Sequence, residues 1–310
     1  MATSTDMNIE QTIADNGGLG DWETDETETP SGVTRWMFPR FKGAGPEDSY
    51  LSRSGIGPND TDVETLVTWL EAPRDIVGLI LVQGDPGTGK TALIEAAAAH
   101  MDRELYTVLC TPDHTKDSLL TKFVGEGKGD NGTPFTLGPL AYAAKKGLIL
   151  YLDEGMLLID GVKPLIYSLA DGRSHLPEGN VDGTPLKIHK DFRVVMSSNP
   201  QVRGASLPEP LASRAAGSTL TVETSAEFLT ALGIDADIVS AWTALGVAGL
   251  WRPQIRELRV AEYWLDIDTD MAVAAMIPEH CPETQRGEVR SIVTSFVGGS
   301  VAADGRLRVS

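Results

Sequence analysis

Three groups of residues have the types and spacing to handle a phosphorylated substrate. Gly84-Asp85-Pro86-Gly87-Thr88-Gly89-Lys90-Thr91 satisfies G-x-x-x-x-G-K-[ST]. Glycines let a backbone curl around phosphate oxygens and turn its N–H groups inward, and a helix that follows adds the positive end of its dipole. Gly84, Pro86, Gly87, Thr88 and Gly89 thus form the expected cradle, Lys90 reaches the β- and γ-phosphates, and Thr91 ligates Mg²⁺. The second group is the adjacent pair Asp153-Glu154. An Asp at a strand end holds Mg²⁺ through water, and a Glu beside it polarises the attacking water. Nucleoside kinases and GTPases do not usually need that adjacent Glu, whereas hydrolytic ATPases do. The third is Asn199, just before Pro200. On a neighbouring strand it would hold the same water near the γ-phosphate; taken alone, Asn-Pro is simply a turn.

Regular elements must position these groups. Asp60 or Thr61 can cap a helix whose apolar face is Val63, Leu66, Val67 and Leu70, ended by Pro73. The continuous apolar run Ile76 to Val82 suits a strand buried on both faces and feeds directly into the glycine loop. An Ala-rich helix follows from Thr91 to His100. Further strands are expected over Leu105–Cys110, Leu148–Leu152 and Phe192–Met196, with helical patterns between them. Alternating strands and helices imply an α/β fold with a parallel sheet flanked by helices. Past Thr221 the pattern turns helical, over Ala226–Leu232, Asp237–Leu245, Gln254–Trp264 and Gly287–Phe296, which predicts a small α-helical second domain. The expected organisation is an acidic N-terminal arm and linker over 1–60, a nucleotide-binding core over 61–221, a helical lid over 222–300 and a tail over 301–310.

Composition narrows the classes. The chain has 310 residues, 41% hydrophobic and 23% charged, which is ordinary for a globular protein. Against 26 Lys+Arg stand 44 Asp+Glu, a formal net charge of −18, which argues against a nucleic-acid coat. Residues 1–30 carry 8 acidic side chains and no Lys or Arg, so this arm reads as flexible. The aromatic cluster Trp36-Met37-Phe38-Pro39-Arg40-Phe41 reads as a docked linker or a short partner-binding motif. Cys110 and Cys281 fit no zinc spacing and no disulfide framework, and the reading is two ordinary thiols in a reducing cytoplasm. No apolar stretch approaches the roughly 20 residues of a membrane span, and the polar, acidic start is no secretory signal.

Together these residues resemble the AAA+ ATPases, and among them the MoxR/CbbQ-type branch related to dynein-like AAA modules. The resemblance is carried by the phosphate loop and Asp153-Glu154. It is carried also by Thr111-Pro112-Asp113, Gly138-Pro139-Leu140, Leu169-Ala170-Asp171-Gly172-Arg173 and the run Leu207 to Arg214. It implies a P-loop AAA+ core with a helical lid that binds ATP and Mg²⁺ and hydrolyses ATP to ADP and phosphate. By position, Asn199 would be sensor 1. Arg214 would be the arginine finger acting on ATP held by the neighbouring subunit, with Arg203 as the backup candidate. Arg256 would be sensor 2, with Arg252 and Arg259 as its close competitors. Ala215 departs from the aromatic usual after the finger. Gly125 to Gly132 resembles the helix-2 insertion and Ser174 to His189 the hairpin before sensor 1. The implied setting is a homo-oligomer, a hexameric ring, that remodels a partner protein, which in this branch often carries a von Willebrand factor A domain. The alternative is a nucleic-acid motor or helicase loader on the same core. A third reading is a nucleotide-switched scaffold, against which the intact Asp153-Glu154 pair speaks.

Overall fold

A computed structural model describes residues 50, 52–53, 59, 61–125, 128, 134–158, 160–200 and 208–298. The acidic arm, Trp36 to Phe41, Asp60, Arg203, most of Gly125 to Gly132 and the C-terminal tail therefore lie outside the described residues. By proximity in space the chain divides into two compact units. One comprises residues up to 84 with 90–221, and the other residues 85–89 with those from 222 onward.

The first unit opens with helix α1, Asp62–Glu71. Thr61 is its cap: the hydroxyl accepts from the Glu64 amide while the Glu64 carboxylate accepts from the Thr61 amide. Leu66 and Leu70 are buried, and Pro73 follows the end of the helix. Strand β1 covers only Ile80–Gln83, the last part of the apolar run expected to be strand. The reason is local: the N–H groups of Ile76 and Val77 both donate to the Pro73 carbonyl at 2.9 Å, so a turn takes the start of the run and leaves Ile76 76% exposed.

The remaining elements alternate as expected. They are α2 (Lys90–His100), β2 (Leu105–Leu109), α3 (Lys116–Leu120), β3 (Thr121–Phe123), β4 (Phe135–Leu137), α4 (Pro139–Lys146) and β5 (Ile149–Asp153). Then come α5 (Lys163–Ala170), β6 (His175–Leu176), β7 (Leu186–Lys187), β8 (Arg193–Ser198), α6 (Glu209–Ala215) and β9 (Thr219–Thr221). The main sheet has the order β2-β5-β8-β1-β9, every pair parallel. Strand β9 and the antiparallel hairpin β3/β4 were not among the expected strands, being too short for a periodic signal, whereas the antiparallel hairpin β6/β7 was expected from the family resemblance. The β6/β7 hairpin falls inside the Ser174–His189 segment. One face of the sheet, with Leu81, Leu150, Leu152, Val194 and Met196, packs on a cluster that includes Leu140, Ile166, Leu169 and Leu211.

The second unit contains helices α7 (Ala226–Ala231), α8 (Ala236–Val247), α9 (Ile255–Leu265), α10 (Thr269–Ala275) and α11 (Glu283–Val297). Its own core gathers Trp242, Leu245, Leu258, Met276, Val289 and Val293. The buried Trp242 indole donates to the Pro253 carbonyl at 3.0 Å. Helix α10 was not expected. Its cap, Asp268, accepts from the amides of Asp270 and Met271. Among the described residues no helix is long and apolar enough to cross a membrane.

Candidate nucleotide site

A parallel sheet brings the carboxyl ends of its strands to one edge, where the connecting loops form a crevice. Here that edge collects the chemistry found in the sequence. The glycine loop leaves β1, Asp153 ends β5, and Ser198-Asn199 ends β8, which lies between the two. The Gly84 amide donates to the Ser198 carbonyl at 3.2 Å, tying the loop's start to β8. Gly87 and Gly89 have φ of 77° and 87°, a backbone region that side chains disfavour. The Lys90 ammonium is buried and donates to the Gly84 carbonyl at 2.8 Å, so the lysine spans the loop it serves. In the second unit, Gln254 and Arg256 at the start of α9 lie against Gly87: a Cβ added there would stand 3.4 Å from Gln254 Oε1 and 3.7 Å from Arg256 Cγ.

The carboxylates are held by hydroxyls. Ser197 on β8 donates to Asp153 Oδ1 at 2.7 Å and accepts from the Glu154 amide at 2.9 Å. The Tyr151 hydroxyl donates to the same Oδ1 at 2.6 Å and lies 3.1 Å from Thr91 Oγ1. Glu154 takes a left-handed backbone, φ 53° and ψ 42°, which is unfavourable for a residue with a Cβ and turns the chain sharply off the strand. Gly155 follows, and a Cβ there would be 2.5 Å from Met196 Cγ, so that buried side chain would have to shift.

Charge in this crevice is felt by its neighbours. Burial, with the Asp153 and Glu154 carboxylates adding to it, pushes the Cys110 thiol up to about 12, so it stays protonated. Burial also raises the Glu95 carboxyl, again with help from Asp153. Both cysteines are free and buried, as the sequence suggested.

The remaining candidates are distributed as follows. Asn199 is 3% exposed, directly past β8. The neighbouring Ser198 hydroxyl is buried and has no hydrogen-bond partner among the described residues. Arg214, near the end of α6, is held within its own chain. Its Nε donates to Asp171 Oδ1 at 2.6 Å, Nη1 donates to the Pro210 carbonyl, and the guanidinium lies 5.3 Å from the Tyr167 ring centre. The Arg214 guanidinium in turn holds the Asp171 carboxyl below its usual range. Ala215 beside it is fully buried. Arg252, a competitor for the sensor 2 role, is stacked over Trp242 at 4.0 Å.

Sequence reasoning missed Tyr151, Ser197 and Asp171. A signal was present for the first: Tyr151 and Asp153 are two apart on one strand and so face the same side, and Tyr151 is the one polar tip among the aliphatic residues before Asp153. Ser197 and Asp171 carried none, because their partners come from other elements.

The family model for the dynein-related subfamily of AAA domains matches residues 79–215. The protein CbbQ of Hydrogenophilus thermoluteolus is 33% identical over 126 residues, 41% of this chain and 46% of that protein. The protein NorQ of Paracoccus denitrificans is 34% identical over 121 residues, 39% of this chain and 43% of its own length. The matched part thus spans less than half the length of these curated relatives. Among solved structures, a RuvB variant of Thermotoga maritima aligns with a TM-score of 0.43 at 19% identity, over 76% of this chain and 77% of that one. Over residues 79–215 the chain carries an AAA domain of the dynein-related subfamily, homologous to CbbQ and NorQ of the MoxR-like branch.

Proposed function

We propose that this protein binds ATP with Mg²⁺, hydrolyses it to ADP and phosphate, and uses the cycle to remodel a partner protein as a homo-oligomer. The observation that carries this reading is the hydrogen-bonded line joining Thr91, Tyr151, Asp153, Ser197 and Glu154 at the strand edge from which the Lys90 loop departs. Its donor set suits Mg²⁺, which prefers a few hard oxygens and keeps its waters and phosphate ligands. Thr91 offers a hydroxyl, and Asp153, both of whose donors occupy Oδ1, keeps Oδ2 for a metal-bound water. Bound there, Mg²⁺ would neutralise charge on the β- and γ-phosphates.

The chain's own groups do the rest. Lys90 exchanges the Gly84 carbonyl for phosphate oxygens. Glu154 takes a proton from the attacking water, its side chain aimed by the left-handed turn and the Ser197 anchor. Asn199 orients that water. Arg256, beside Gly87, serves as sensor 2. Arg214 acts in trans on a neighbour's γ-phosphate, which places fixed positive charge where the transferring group needs it. To do so it must leave Asp171. The helical unit over 222–298 acts as the lid whose movement passes the cycle on. We propose a hexameric ring in the cytoplasm with a separate client or adaptor, a protein with a von Willebrand factor A domain being the first candidate, as the resemblance to the MoxR-like branch implies.

Subunit mixing tests this. Glu154→Gln alone and Arg214→Ala alone are expected to turn over ATP at least roughly 100-fold more slowly, the scale of a lost general base or of one lost transition-state donor. Mixed rings are expected to regain part of the activity, because some interfaces pair an intact finger with an intact Glu154. No recovery in rings shown to have mixed would remove the finger in trans. Normal turnover by Glu154→Gln would remove the assignment of the base.

A further inference from the structure

Tyr151 is fully buried in β5, two residues before Asp153 and on the same side of the strand. Its hydroxyl touches both residues to which Mg²⁺ handling was assigned: Asp153 Oδ1 at 2.6 Å and Thr91 Oγ1 at 3.1 Å. The direction of these bonds follows from proton counting. An ionised carboxylate can only accept, so the single phenolic proton goes to Asp153. The phenol oxygen is then left as an acceptor, and Thr91 must be the donor. A hydroxyl that coordinates a cation does so through a lone pair and has to place its proton elsewhere; the Tyr151 oxygen takes it. Meanwhile Tyr151 and Ser197 both converge on Oδ1. The carboxylate is therefore fixed in rotation with Oδ2 turned away from both donors. An aliphatic side chain in this strand would fill the same space and leave Thr91 and Asp153 to rotate independently.

We propose that Tyr151 is a positioning residue that sets the Mg²⁺ affinity of the nucleotide site, by holding the Thr91 hydroxyl and the Asp153 carboxylate in the one orientation in which both serve the metal. The proposal rests on the nucleotide-binding reading above and adds to it a residue that touches neither nucleotide nor metal. Groups that orient metal ligands from behind typically change metal affinity by roughly 10–100-fold when removed.

The test separates metal from nucleotide. The full chain and its Tyr151→Phe variant are titrated with a fluorescent methylanthraniloyl-ADP, first in EDTA and then at fixed nucleotide with increasing Mg²⁺. The expected result is an unchanged metal-free nucleotide affinity and a Mg²⁺ half-saturation raised roughly ten-fold or more. Ser197→Ala, which removes the other donor to Oδ1, is expected to shift the same quantity in the same direction. If Tyr151→Phe folds poorly by its thermal melt, Tyr151→Met fills the space without a hydroxyl and carries the same expectation. An unchanged Mg²⁺ half-saturation in a folded variant overturns the proposal and leaves the nucleotide reading intact. Failure of the unmodified chain to bind the nucleotide overturns both.

Discussion

Arg214 is held by three groups of its own chain at once. Its guanidinium is engaged by Asp171, the Pro210 carbonyl and the Tyr167 ring, yet its side chain keeps 29% of its surface open. A partly exposed ion pair of this kind is a weak one. Its effect on stability has a definite pH sign. Arg214 depresses the Asp171 carboxyl in the folded chain, so the pair stabilises at every pH above the unfolded value of about 3.9. The contribution fades as the pH falls through the lower, folded value. The melting-temperature gap between the unmodified chain and Asp171→Asn is therefore expected to hold from pH 7 to 5 and to close toward pH 3. A gap that widens on acidification would show that the pair is not what Asp171→Asn removes.

At the scale of elements, the site depends on β8 being held in place, since it contributes Ser197 and Ser198 and leads directly into Asn199. Arg193 at its start does much of this. The residue is 6% exposed, and its guanidinium donates to the carbonyls of Leu70 in the last turn of α1 and of Ala72 at its cap, and to those of Lys190 and Phe192. The last carbonyls of a helix have no partner within it, and here a cation from the sheet satisfies two of them. Arg193→Ala would strand these buried acceptors. It is expected to cost about 3 kcal/mol or more, the loss of charge-assisted bonds plus desolvated carbonyls. A urea titration measures this; a change under about 0.5 kcal/mol, ordinary for a surface site, would mean water replaces the guanidinium at once.

For the whole molecule, two separately packed cores share the phosphate loop's sequence. Residues up to 84 and from 90 fold with the sheet, while 85–89 group with the helices from 222 onward. A ligand that binds only the folded chain stabilises it by about 2.7 kcal/mol at a hundred times its dissociation constant. For a protein of this size that is a melting-temperature rise of about 4 °C. ATP or ADP with Mg²⁺ is expected to produce this shift, and Lys90→Ala is expected to abolish it. A shift retained in Lys90→Ala would place nucleotide binding somewhere other than this loop.

The phosphate loop and the Asp153-Glu154 pair were legible in the chain as motifs because each is a contiguous segment at the end of an apolar run. The parallel α/β architecture was legible for a similar reason: a buried strand declares itself as an apolar run, and a helix as a repeat on one face. The short strands β3, β4 and β9 did not show, since three residues carry no period, and β6 and β7 were expected only through the family resemblance. Nor did the true start of β1, where backbone N–H groups committed to Pro73 outweighed an apolar run. Tertiary structure alone decided that Ser197 would grip both Asp153 and Glu154 across 43 or more residues of chain. It likewise decided that Asp171 would hold Arg214 and that Arg193 would finish α1. Hydrogen bonds of this kind join elements distant in sequence, and their partners become neighbours only when sheet order and register are set.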